Sequence, residues 1–70
     1  MDFNGDLKSL EDQFKTKFKE LSDALVEFQA AKLSPVSEER NAQIKHWAAQ
    51  IKEITADISQ LASNIAPYYE

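Results

Sequence analysis

In the second half of this chain the large apolar residues Ile44, Trp47, Ile51, Ile54, Ile58, Leu61 and Ile65 step three, four, three, four, three and four residues apart. Residues so spaced return to one side of an α-helix every two turns, which predicts an apolar seam running along a neighbouring helix for three heptads. The first half carries a second stripe. Neither glycine nor proline occurs between Asp6 and Leu33, and Leu7, Leu10, Phe14, Phe18, Leu21, Leu25 and Phe28 follow one another at three, four, four, three, four and three. This predicts an amphipathic helix whose apolar face passes through Phe18 and leaves Lys17 reaching outward.

Ser34-Pro35-Val36-Ser37-Glu38-Glu39 separates the two stripes. Proline disfavours helical geometry in the residue before it and suits a first helical position, Ser34 or Ser37 can cap, and the glutamates complement the positive end of the helix dipole. The pattern predicts a single helical-hairpin domain over residues 1–70, with helix one at about 6–33, a turn at 34–37, helix two at about 38–66 and a short tail at 67–70. Asn4 or Asp6 is placed to cap helix one, with Phe3 just outside it, and Pro67 ends helix two. The expected fold is therefore all-α, an antiparallel, coiled-coil-like hairpin.

If the chain folds back about Val36, residues at one level have numbers summing to about 72. Phe28 then meets Ile44, Leu25 meets Trp47, Leu21 meets Ile51, Phe18 meets Ile54, Phe14 meets Ile58 and Leu7 meets Ile65, with Leu10 and Leu61 one residue out of step. Ala24 falls level with Ala48, and Phe3 with Tyr69. The same rule pairs Glu27 with Lys45, Glu20 with Lys52, Lys19 with Glu53 and Lys15 with Asp57, all opposite in sign. Lys32 opposite Arg40 is the like-charged exception, beside the turn where both can splay into water.

Two helices bury only one side of each seam residue, and a chain of 70 residues has little core to spare. A homodimer forming a four-helix bundle, or docking onto a helical protein partner, is the expected completion. The second surface is expected on the back of helix two, where Ala42, Ala49, Ala56 and Ser63 recur every seven residues beside Ser59 and Ala62. Tyr68 and Tyr69 stand at the open end, placed to close the core or to offer an aromatic contact.

Composition narrows the function. There is no cysteine and one histidine, so neither a disulfide framework nor a zinc site is expected. His46 has Gln43 three residues before it, where a di-iron bundle requires glutamate. The only glycine is Gly5, so there is no glycine-rich phosphate loop, and a thin hairpin has little room for the concave, water-excluding site an enzyme needs. No catalytic residue, metal or cofactor is expected. The net charge is −4, with acids interleaved among Lys8, Lys15, Lys17 and Lys19, which speaks against nucleic acid. The polar faces lack the Lys/Arg enrichment of a membrane-surface helix, and no apolar run approaches about 18 residues. Without the marks of a secretory signal at its start, the chain is expected in the cytoplasm.

The layout Leu21-Ser-Asp-Ala-Leu25, a helix end at Leu33, a turn on Ser34-Pro35 and a second long helix resembles small helical hairpins of type III secretion systems, over about Leu21 to Ile65. That resemblance implies a needle-like subunit or a co-chaperone, although Pro67-Tyr68-Tyr69 departs from the extended helix of needle subunits. From the residues themselves, the expected function is a non-enzymatic protein–protein interaction or assembly module. A small inhibitor or adaptor that binds a helical partner is the alternative.

Overall fold

The computed structural model describes residues 3–70, with side chains from Gly5 onward. Two long helices, α1 (Phe3–Leu33) and α2 (Glu38–Ile65), pack antiparallel across a four-residue turn, and a 3-10 turn (Ala66–Tyr69) closes the chain. No strand occurs among the described residues. The fold is an all-α hairpin.

α1 starts about one turn earlier than residue 6. Asn4 and Gly5 enter the first turn, where backbone N–H groups lack intrahelical partners whatever residue carries them, so glycine is tolerated. Asp6 lies inside that turn, where its charge complements the dipole. Capping by Asn4 and the level match of Phe3 with Tyr69 both lie outside the described side chains. At the other junction Ser37 caps α2: its backbone is extended and its Oγ accepts from the Arg40 N–H at 3.0 Å. No described residue in the turn needs positive φ, which suits a segment without glycine. Pro67 brings no N–H to continue the α ladder, and the chain tightens into a 3-10 turn at Ala66.

The path of the α1 stripe differs from the expected one. Its buried and half-buried positions are Leu7, Leu10, Phe14, Lys17, Leu21, Ala24, Phe28 and Ala31, an unbroken alternation of three and four. Phe18 and Leu25 stand off this seam, 48% and 44% exposed, while Ala24 is only 2% exposed and Lys17 turns inward. The reason is phase. The two stripes share Leu7, Leu10, Phe14, Leu21 and Phe28, and the observed one keeps the three-four alternation through Lys17, whereas Leu10, Phe14 and Phe18 stand at two successive steps of four, the single break in the other. On α2 the half-buried and buried run is Arg40, Ile44, Trp47, Ile51, Ile54, Ile58, Leu61 and Ile65, with Gln50 half-buried beside it on the groove side, continued by Tyr68 in the 3-10 turn.

Charge pairing also departs from the level rule, because being level is not enough. With the α1 seam written as heptad positions a and d, Glu20 and Glu27 fall at g on one flank of the hairpin. Lys45 and Lys52 fall at b on the other flank. None of the four expected pairs closes among the described residues. Asp57 instead takes Lys17, whose Nζ lies 3.1 Å from Asp57 Oδ2 and 3.1 Å from Glu20 Oε2. Nor does Arg40 splay into water. It folds across the turn, and its guanidinium donates to the Lys32 carbonyl oxygen at 3.4 Å, at the negative end of α1. Lys32 lies 5.8 Å above the Phe28 ring.

The hairpin is a single layer of two rods, 53 × 17 × 14 Å, with a radius of gyration of 16.1 Å against about 11 Å for a compact chain of this length. Its buried hydrophobic residues are Ala24, Ala31 and Ile54. Every other large apolar side chain described keeps some contact with solvent, because there is no third element to cover it.

Candidate interaction surface

Two unlike faces flank the seam. On the g side, a groove of about 860 Å³ runs between the helices, floored by Ala24, Trp47 and Ile54. Glu20, Asp23 and Glu27 of α1 and Glu53 and Asp57 of α2 stand along it, and Lys17 enters from below. The Lys17 pKa is raised above the ordinary 10.5 by its hydrogen bonds to Glu20 first and Asp57 second, which favour the charged ammonium. The Lys17 side chain is 31% exposed: its stem follows the seam while its charge surfaces among carboxylates. No group of three or more His, Cys, Asp or Glu that could hold a metal occurs among the described residues.

On the e side and around the outer face of α1 lies an apolar surface. Leu25, Val26 and Leu33 form it with Ser22, Gln29 and Ala30, Val26 also bordering the groove, and Phe18 is exposed two turns before Leu25. Leu33 is 88% exposed, and Val36 in the turn is exposed as well. Between Asp23 and Lys32 the only charge on α1 is Glu27, which belongs to the opposite groove. The rim is basic: Lys15 on α1 and Lys45 and Lys52 on α2 occupy b positions beside this flank.

The residues expected to bind a partner lie elsewhere. Ala42, Ala49, Ala56 and Ser63 fall on the outer ridge of α2, with Ser59 and Ala62 at its shoulder, and all six are exposed. Tyr68 is half-buried at the end of the seam. Tyr69 is exposed and reaches across to α1, its hydroxyl donating to Glu11 Oε2 at 3.4 Å. The structure therefore does not gather these residues with Phe18 and Leu25 into one site.

Sequence reasoning placed Phe18 and Leu25 in the core and so missed the surface they build. One pattern signal was the double step of four at Leu10, Phe14 and Phe18, which the run through Lys17 and Ala24 avoids. No helix among the described residues is long and apolar enough to cross a membrane. No protein family, curated protein or solved structure matches this chain, so the geometry alone carries the functional reading.

Proposed function

We propose that this chain is a non-enzymatic protein–protein interaction module that assembles through the outer face of α1, completing a four-helix bundle with a second hairpin. One observation carries the reading: Phe18, Leu25, Val26, Leu33 and Val36 are all exposed, while the buried hydrophobic residues among those described are Ala24, Ala31 and Ile54. A concentration of exposed large apolar side chains marks an interaction site. Its side chains offer far more apolar area than the alanine ridge of α2, which good helix formers would occupy on any solvated face.

The exposed area supports the same reading. The chain presents 5361 Å² to solvent, whereas a folded monomer of 8.0 kDa averages about 4,450 Å². The excess of about 900 Å² is close to the roughly 800 Å² that each partner contributes to a standard interface. Serine at both Phe18 and Leu25 tests the proposal. The double variant is expected to keep its helicity by circular dichroism and to lose self-association in sedimentation equilibrium. Unaltered association, or loss of the helices themselves, would contradict it. A small inhibitor or adaptor would use this face on a foreign helix, and would leave the wild-type chain monomeric.

A further inference from the structure

The two flanks differ in charge as well as in shape. The groove has an apolar floor between acidic walls, while the opposite flank presents an apolar ridge, Phe18 and Leu25, between basic rims. If two copies met ridge to ridge about a two-fold axis, Lys15, Lys45 and Lys52 of both would crowd the same contact. Like charges set face to face across an interface oppose association. If ridge met groove, each lysine rim would lie against carboxylates. Ridge and groove also occupy the same stretch of the hairpin: Phe18 and Leu25 span levels that the groove residues Glu20, Asp23 and Glu27 share.

We infer that the occupant of the Lys-rimmed apolar flank is the acidic groove of a second copy, so that copies associate through unlike faces. This rests on the self-assembly proposed above and names its geometry. The contact is heterologous: each hairpin joined through its ridge still presents a free groove, and each joined through its groove a free ridge. Association then continues beyond two copies unless the rotation between neighbours closes a ring. It also weakens with salt. Raising ionic strength from about 0.1 M to about 1 M shortens the screening length from about 10 Å to about 3 Å, which removes attraction between rims and walls. A ridge-to-ridge dimer would respond in the opposite sense, because its lysine rims repel.

Paired charge reversals test this. One variant carries Glu27→Lys and Glu53→Lys in the groove, and the other Lys15→Glu and Lys52→Glu at the rim; none of these four side chains takes part in an ion pair among the described residues. Each variant alone is expected to associate more weakly than wild type by on the order of tenfold, and an equimolar mixture to recover association, because opposite charges then meet at both faces. If the groove variant associates as tightly as wild type, unlike-face packing is overturned while self-assembly stands. A wild-type chain that never associates overturns both. Should a reversal cost helicity, the corresponding Gln substitutions and the sign of the salt dependence decide the same question: tighter association at high salt contradicts the inference.

Discussion

The Lys17 ammonium lies 3.1 Å from the Asp57 carboxylate across the hairpin, and an equal 3.1 Å from Glu20 one turn along its own helix. A lysine on an otherwise apolar seam costs stability and defines register, because only one alignment brings its charge to its partners. Its raised pKa fixes the sign of a pH effect. The folded state favours the protonated form, so this stability is fully present below the ordinary 10.5 and is lost as pH rises through the folded value. Thermal melting between about pH 9 and pH 12 should show a steeper alkaline decline in wild type than in Lys17→Met. Parallel declines would place no stabilising charge at Lys17.

Ala24 and Leu25 are adjacent and exchange the roles their sizes suggest. Ala24 is 2% exposed in the seam, so Ala24→Leu overpacks it and should cost about 1–3 kcal/mol in urea unfolding. Leu25→Ala removes a side chain that is 44% exposed and should cost less than the roughly 2–5 kcal/mol of a core truncation. The reverse ranking would restore the stripe through Phe18 and Leu25.

That pair also shows how far the sequence reaches. Two helices, their antiparallel pairing and the turn at Ser34–Ser37 follow from apolar periodicity and from proline and serine chemistry, which act within a few residues. The azimuth of α1 does not follow from hydrophobicity, because Phe18 and Leu25 are more apolar than Lys17 and Ala24 and yet lie outside. The set with Lys17 and Ala24 keeps the three-four alternation from Leu7 to Ala31, and the stripe through Phe18 and Leu25 breaks it once, at Leu10, Phe14 and Phe18, a difference that hydrophobicity outweighs on reading. The surface was illegible for the same reason: residues assigned to a core are not sought on a face.

Ser37 holds the start of α2 through one hydrogen bond to the Arg40 N–H. Ser37→Ala should lower unfolding free energy by about 1 kcal/mol, and Ser37→Asp should restore most of it. Denaturant titration followed by circular dichroism measures both. An unchanged midpoint in the alanine variant would mean that water serves that N–H equally well.

Ala49 and Ala56 face away from both the seam and the apolar flank. Replacing both with lysine should leave helicity and self-association as in wild type, read by circular dichroism and sedimentation velocity. Loss of association with intact helices would move the interface to the outer ridge of α2.

The central claim is that one hairpin leaves its apolar face for another to cover. Sedimentation equilibrium of the wild-type chain, from low micromolar to millimolar concentration, measures this directly. The average mass is expected to climb above the 8.0 kDa monomer as concentration rises. A single folded species holding at 8.0 kDa across the whole range would contradict it.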